Sequence, residues 1–193
     1  NQAIRLNPKF AYAYNNRGLV YYIQGKYEKA IADYGKAIQL NPKYAEAYNN
    51  RGNVYYNQGK YDLALADYNQ AIQLNPKDAN AYYNRGLNYK DNRNIEKAIS
   101  DFEKAANLYK QQGNQKSHQK CLDQLKRLTK SKLLSTIYNY LSTLNSSSLI
   151  EKLNKIEKNA INKGWLSAKG ELQVILACVV WLLGGIIYYF IRS

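Results

Sequence analysis

Few side chains in this sequence have the types and spacing that chemistry requires. The only histidine, His118, lies three residues before Cys121, and the second cysteine is Cys178. His118 and Cys121 would share one face of a helix, but a structural zinc site takes about four ligands, and a thiol nucleophile needs a base that a third group orients. No glycine-rich phosphate loop is present either. We therefore expect a surface histidine beside a half-buried cysteine, with no catalytic residue, no metal and no cofactor.

The sequence instead carries an internal repeat. The tripeptide Asn-Pro-Lys occurs three times at a spacing of 34 residues, beginning at Asn7, Asn41 and Asn75. The same spacing aligns Ala-Tyr-Asn-Asn-Arg-Gly at 13–18 with the identical string at 47–52. A period of about 34 residues is typical of arrays in which each repeat is one pair of helices. The elements that position any functional residue are therefore expected to be stacked helical hairpins.

Small and aromatic residues recur at fixed places within each period. The first period has Tyr14, Gly18, Tyr21, Ala30, Tyr34, Ala37 and Pro42, and the later periods repeat this set as far as Lys110, which replaces the third proline. This pattern resembles the tetratricopeptide repeat (TPR), and it looks most like the Asn- and Tyr-rich repeats of bacterial, especially cyanobacterial, TPR proteins. The resemblance implies an all-α solenoid of helical hairpins. It implies three repeats at about 9–42, 43–76 and 77–110, preceded by the end of an earlier repeat at 1–8.

Two sets of glycines follow the period: Gly18, Gly52 and Gly86, and then Gly25 and Gly59. The first set would let the two helices of a hairpin approach closely, because glycine has no side chain. The second set would form the turn inside the hairpin in the left-handed backbone region. The third repeat has Asn92-Arg93-Asn94 at this turn, and asparagine tolerates the same region.

A pair of opposite charges also follows the period. Arg17, Arg51 and Arg85 are each followed after 16 residues by an aspartate, namely Asp33, Asp67 and Asp101. We interpret these as structural ion pairs between the two helices of each hairpin. Some TPR domains clamp the C-terminal carboxylate of a chaperone with polar and basic groove residues. Only Asn50 fits that set here, so we do not expect a carboxylate clamp.

The resemblance implies a concave groove lined by the first helices of successive repeats. The expected lining is Tyr12, Asn15, Asn16, Leu19, Tyr22, Glu46, Asn49, Asn50, Asn53, Tyr56, Asn57, Asn80, Tyr83, Asn84 and Leu87. The candidate peptide-binding residues among them are Asn16, Asn50, Asn84, Tyr12, Asn15, Tyr22, Asn49, Asn53, Tyr56 and Tyr83.

Three of these asparagines, Asn16, Asn50 and Asn84, form a row at one place in the period. An amide carries both donors and an acceptor, so such a row can bind the backbone of an extended peptide. It resembles the asparagine ladder in the repeat domain of O-linked N-acetylglucosamine transferases. The alternative is that these amides only satisfy helix-end or inter-repeat groups.

The pattern of apolar and charged residues changes after the repeats. Residues 111–133 have apolar positions on one helical face and are predicted to cap the last repeat. Residues 134–170 predict two basic amphipathic helices. Twelve of the 28 Lys and Arg residues lie within 110–170, against three of the 14 Asp and Glu residues. Because this segment has no nucleic-acid reader motif, we expect it to contact anionic lipid headgroups and expect no nucleic-acid partner.

The run from 172 to 191 has no charged residue and is long enough to cross a hydrocarbon core of about 30 Å as a helix. Lysines dominate its N-terminal side, which places the repeats on the cytoplasmic side by the positive-inside rule. We therefore predict a single-pass membrane protein with residues 171–193 as its anchor. The alternative, a buried core helix, would need a second layer of structure that so short a chain does not offer.

These features predict a non-enzymatic, membrane-anchored TPR scaffold or adaptor that binds a protein or peptide in its groove, for example during assembly of a membrane complex. One alternative is the C-terminal regulatory part of a larger enzyme, a kinase or glycosyltransferase, whose catalytic domain precedes residue 1. Residues 1–6 resemble the end of the second helix of an earlier repeat, and the sequence contains no methionine. We therefore expect it to be the C-terminal part of a longer protein. In another alternative the span oligomerises through Gly184 and Gly185 or binds lipid, and the repeats serve as a spacer.

Overall fold

Proline and left-handed backbone positions divide the chain into helices, as the repeat pattern predicts. The computed structural model describes residues 2–142, and these are entirely helical and loop, without a strand. The helices are α1 (Gln2–Leu6), α2 (Ala11–Ile23), α3 (Tyr27–Leu40), α4 (Ala45–Asn57), α5 (Tyr61–Leu74), α6 (Ala79–Asp91), α7 (Ile95–Gln111) and α8 (Gln115–Ser142). Helices α2–α3, α4–α5 and α6–α7 form the three hairpins. The prediction of an all-α hairpin array is confirmed.

Close helix contact inside each hairpin depends on a glycine that faces an aromatic ring. A Cβ atom added to Gly18 would lie 2.9 Å from Cε1 of Tyr34, and one added to Gly52 would lie 2.8 Å from Cε1 of Tyr68. Gly86 faces Phe102 in the same way at 2.9 Å. Since real Cβ atoms do not approach so closely, the first helix passes over the ring only where no side chain is present.

The core continues from one repeat to the next. Ala30 and Tyr34 of α3 pack with Val54 of α4 in one buried cluster, so the second helix of repeat one covers the first helix of repeat two. Tyr34, Tyr68 and their equivalent Phe102 have 0–1% of their surface exposed. Burial of this kind supplies most of the stability of a stacked array, because each hairpin alone leaves one apolar face uncovered.

The predicted ion pairs between hairpin helices are confirmed. Nε of Arg51 donates to Oδ2 of Asp67 at 2.8 Å, and Nη2 donates to Oδ1 at 2.8 Å. The same two-bond contact joins Arg17 to Asp33 and Arg85 to Asp101. The hydrogen bond to Asp67 is the main cause that raises the pKa of Arg51 above its ordinary value.

The hairpin turns show one correction to the sequence prediction. Gly25 and Gly59 have φ values of 71° and 72°, as expected of left-handed turn residues. In the third repeat the left-handed residue is Arg93, with φ 58°, and not a neighbouring asparagine. The reason is register: the first helix of each hairpin has 13 residues, so the turn falls at the position equivalent to the glycines whatever residue stands there.

The end of the array is covered by α8. Cys121 and Leu128 are 0% and 8% exposed and lie in clusters with residues of α7, including Ala105 and Phe102. The prediction of a half-buried Cys121 is therefore wrong, and burial raises the pKa of its thiol to about 11. His118 Nδ1 lies 2.9 Å from the carbonyl oxygen of Ala106. Helix α8 begins at Gln115 and continues as one helix to Ser142, past the predicted end of the cap at residue 133.

Several sequence predictions concern residues that the structure does not describe. These are the part of the basic amphipathic segment beyond residue 142, the predicted membrane span at 172–191 and Cys178. None of the eight described helices combines the length and apolar character that crossing a bilayer requires. Among residues 2–142 no group of three or more His, Cys, Asp or Glu side chains is placed to hold a metal ion.

A buried hydroxyl in the first repeat gives a stability prediction. The Tyr68 hydroxyl donates to Oδ1 of Asn53 at 2.8 Å, whereas the buried Tyr34 hydroxyl has no partner in the described part of the chain. Leu19 stands where the second repeat has Asn53. Removing an unpaired hydroxyl avoids its desolvation cost. We therefore expect Tyr34→Phe to leave the free energy of unfolding unchanged or raise it by about 1 kcal/mol.

The matched variant Tyr68→Phe should lower the free energy of unfolding by about 1 kcal/mol, because it removes a satisfied hydrogen bond. Urea denaturation followed by circular dichroism measures both changes. Equal destabilisation by the two variants would show that the Tyr34 hydroxyl has a partner in solution.

Candidate functional site

Two members of the predicted asparagine row, Asn50 and Asn84, form part of a hydrogen-bonded ladder between first helices. Nδ2 of Asn50 donates to Oδ1 of Asn15 at 3.1 Å, and Nδ2 of Asn84 donates to Oδ1 of Asn49 at 3.1 Å. Nδ2 of Asn15 in turn donates to Oε1 of Glu46 at 3.2 Å. Each bond joins one repeat to the next. The alternative reading, in which these amides connect repeats, therefore describes part of their role.

The asparagines of the ladder differ in their exposure to solvent. Asn15 and Asn49 are 0% and 6% exposed, so they lie beneath the surface and support the row. Asn16 is exposed, and Asn50 and Asn84 are half-buried. An amide nitrogen carries two hydrogens, and Asn50 and Asn84 each use one in the ladder. Their second N–H and their carbonyl oxygen are not used in the ladder and are available to a ligand.

A second ladder runs along the C-terminal ends of the same helices. Nδ2 of Asn57 donates to the Tyr22 hydroxyl oxygen at 2.6 Å. One repeat later the Tyr56 hydroxyl donates to a carboxylate oxygen of Asp91. Lys90 Nζ lies 3.4 Å from the other carboxylate oxygen of Asp91. Burial is the main cause that raises the pKa of Tyr56, and the bond to Asp91 adds to it.

Between the two ladders lies a pocket of about 200 Å³. Its aromatic lining is Tyr22, Tyr56 and Tyr68. Its remaining lining is Asn53, Asn57, Asn84 and Leu87. We call the surface of α2, α4 and α6 that carries the asparagine row and this pocket the groove. The pocket has room for one large side chain, and its walls offer ring faces, amide groups and hydroxyl groups but no charge.

The structure brings four of the ten candidate binding residues into this pocket: Tyr22, Asn53, Tyr56 and Asn84. Tyr12 and Asn16 line a different, larger cavity of about 600 Å³ beside α1. Tyr83 packs against Phe102 with ring centroids 5.5 Å apart and so belongs mainly to the core. Tyr68 was missed as a pocket residue, because its place in the repeat marks it as core and gives no signal that one edge reaches the groove.

The sequence was compared with known proteins. Family models described as tetratricopeptide repeat match residues 1–32, 45–78 and 79–112, and one described as TPR repeat matches 18–59. The search of curated proteins gave no match.

Solved structures of TPR domains are similar to the repeats. The second TPR of Spaghetti (RPAP3) bound to the HSP90 peptide SRMEEVD is 30% identical with a TM-score of 0.51, over 56% of this chain and 99% of that chain. The first TPR of Spaghetti bound to the same peptide is 27% identical with a TM-score of 0.57, over 63% and 91%. The Arabidopsis OM64 TPR domain is 25% identical with a TM-score of 0.55, over 61% and 94%. The family models together match residues 1–112, more than half of the chain, and with the repeat period and the hairpin order they show that the chain belongs to the tetratricopeptide repeat family.

Proposed function

We propose that this chain is a non-enzymatic scaffold or adaptor that binds an extended segment of a partner protein in the groove. The observation that carries the proposal is the pocket between the two ladders, where Asn84, Asn53 and Tyr22 present hydrogen-bonding groups beside aromatic rings. Amide groups that both donate and accept can match a peptide backbone irrespective of its sequence. Tyrosine adds contact area and loses little conformational entropy on binding.

The comparisons support protein binding as the general role. Two similar TPR domains, at 27% and 30% identity, were solved with a bound HSP90 peptide. Those peptides end in the acidic residues and carboxylate of SRMEEVD. This groove does not present the basic residues that a carboxylate clamp requires, so the proposal is a peptide-binding groove with a different ligand.

The proposal includes membrane attachment. Residues 172–191 are the proposed single span, with the repeats on the cytoplasmic side. The described part of α8 carries exposed basic side chains at Lys116, Lys120, Arg127 and Lys130, and basic groups near an anionic leaflet favour binding by about 1 kcal/mol each. A scaffold held at a bacterial membrane in this way would gather a partner there, for example during assembly of a membrane complex.

One experiment tests attachment and groove binding together. The tagged 193-residue chain is expressed in bacteria, the membranes are washed with alkaline carbonate, and proteins that co-purify with the chain are quantified by mass spectrometry. The groove variant combines Asn16→Ala, Tyr22→Phe and Tyr56→Phe. Each lost hydrogen bond weakens binding by about 0.5–1.5 kcal/mol, so we expect partner recovery to fall at least about tenfold.

The matched control combines Asn107→Ala, Tyr14→Phe and Tyr48→Phe, which change the same residue types outside the pocket. We expect it to recover the partner as the unchanged chain does, with equal helix content for all three proteins. Equal recovery by the groove variant would refute groove binding. Release of the chain by carbonate would refute the membrane span.

A further inference from the structure

The ionised side chains of the groove are few and mostly acidic. Glu46 and Asp91 carry carboxylates there, and Lys90 lies beside Asp91. The arginines of the repeats are occupied elsewhere, since Arg51 and its equivalents pair with aspartates between the hairpin helices. An acidic ligand side chain would therefore enter a pocket whose lining contains no lysine or arginine. Because an uncompensated charge is costly to desolvate, the pocket disfavours an acidic side chain.

Several oxygen atoms of the pocket residues are available to accept hydrogen bonds from a ligand. Tyr56 gives its hydroxyl proton to Asp91, so its oxygen presents lone pairs to the pocket. Asn84 and Asn57 each donate one of their two N–H groups to a neighbouring repeat. Their carbonyl oxygens remain available, because no hydrogen bond within residues 2–142 engages them. Three residues of the lining thus offer oxygen acceptors, and the Tyr56 hydroxyl links the pocket to the Asp91 carboxylate.

Aromatic rings complete the set of groups that bind a cation. A lysine or arginine over the face of a tyrosine is attracted by the ring quadrupole, and Tyr22 and Tyr56 line the pocket. The same chain holds guanidinium groups in this way between the helices of its hairpins. Arg51 lies 5.8 Å and 5.9 Å from the ring centroids of Tyr48 and Tyr55 while it pairs with an aspartate.

We propose that the pocket between Tyr22, Tyr56 and Asn84 binds a lysine or arginine side chain of the partner segment. The rings contact the aliphatic stem and the cation, the amide and phenol oxygens accept its N–H bonds, and the Asp91 carboxylate, which the cation would share with Lys90, lies beyond the Tyr56 hydroxyl. This inference rests on the proposed function and adds a sequence preference to it. The partner segment is basic at the residue that lies over the pocket, unlike the acidic HSP90 peptide of the similar TPR domains.

Four pools of short fluorescent peptides test this preference. All positions are random uncharged residues except a central one, which is fixed as Arg, Lys, Gln or Glu. Binding to the 193-residue chain in detergent is measured by fluorescence anisotropy. A cation–π contact favours a cationic side chain over the uncharged Gln side chain, so we expect the Arg and Lys pools to bind about tenfold more tightly than the Gln pool. The Glu pool should bind most weakly.

Two variants test whether the preference for a cationic peptide residue depends on the charge of Asp91. Asp91→Asn keeps an acceptor for the Tyr56 hydroxyl but removes the charge, and it should reduce the tenfold preference to about threefold. The control Glu103→Gln removes one exposed charge from α7, away from the pocket, and should leave the preference unchanged. Equal binding of all four pools, or tighter binding of the Gln or Glu pool, would overturn the cation site while the peptide-binding groove stands. Binding of none of the pools would overturn both.

Discussion

Alanine in place of Arg51 is expected to lower the free energy of unfolding by about 3–5 kcal/mol, because it leaves a buried carboxylate without its partner. Asp67 is 5% exposed and accepts two hydrogen bonds from Arg51, each 2.8 Å long. The guanidinium group also lies over the rings of Tyr48 and Tyr55. The alanine variant therefore loses ring contact as well as charge compensation.

A double-mutant cycle separates these contributions. The double variant Arg51→Met with Asp67→Leu removes both charges and fills the space with apolar groups, so it should be less destabilised than Arg51→Ala. Urea denaturation followed by far-ultraviolet circular dichroism provides the four unfolding free energies of the cycle, for the unchanged chain, Arg51→Met, Asp67→Leu and the double variant, and Arg51→Ala is measured beside them. A loss below about 1 kcal/mol for Arg51→Ala would indicate that water screens the pair as it screens a surface ion pair.

Alanine in place of Gly52 is the second large effect, with an expected loss of about 1–3 kcal/mol in unfolding free energy. Its Cβ would lie 2.8 Å from Cε1 of Tyr68, a ring that is 1% exposed. Relief requires the ring to shift or α4 to separate from α5, and either change disturbs the packing between the two helices. The cost arises even though alanine has the higher helix propensity.

The chain offers a matched control for this substitution. Gly35 is also a helical glycine, but the nearest atom to a Cβ added there is Nη1 of Arg51 at 3.8 Å, an ordinary contact distance. Gly35→Ala should therefore raise the unfolding free energy by up to about 1 kcal/mol through helix propensity alone. If both alanine variants stabilise the chain, the glycine–tyrosine contact does not limit the helix spacing in solution.

Features that depend on periodic spacing were predictable from the sequence. The hairpins follow from the 34-residue period, and the contact between Gly18 and Tyr34 follows from small and large residues that recur together. The ion pairs are predictable for the same reason, since Arg51 and Asp67 keep their separation in each repeat. A fixed separation maintained through several repeats implies a fixed spatial relation.

Features that depend on the exact register or on packing were not predictable. Neighbours in sequence, Asn49 and Asn50 differ in burial because the helix turns by about 100° per residue, given 3.6 residues per turn. The sequence places both residues on the groove, whereas in the structure Asn49 is buried beneath the row and Asn50 is half-buried. Tyr68 reaches the pocket from a second helix, which no pattern along the first helices reveals. Arg93 takes the left-handed turn position because the hairpin geometry overrides its residue preference.

The most direct test of groove binding is site-specific photo-crosslinking in cells of the native source. A photoreactive amino acid is placed at Asn16 or Asn57, which are exposed on the groove, and in control chains at Glu103 or Asn107, which are exposed on α7. We predict that irradiation links the same partner to positions 16 and 57 and not to the α7 positions. Crosslinks that form only from α7, or equally from all four positions, would contradict a partner bound in the groove.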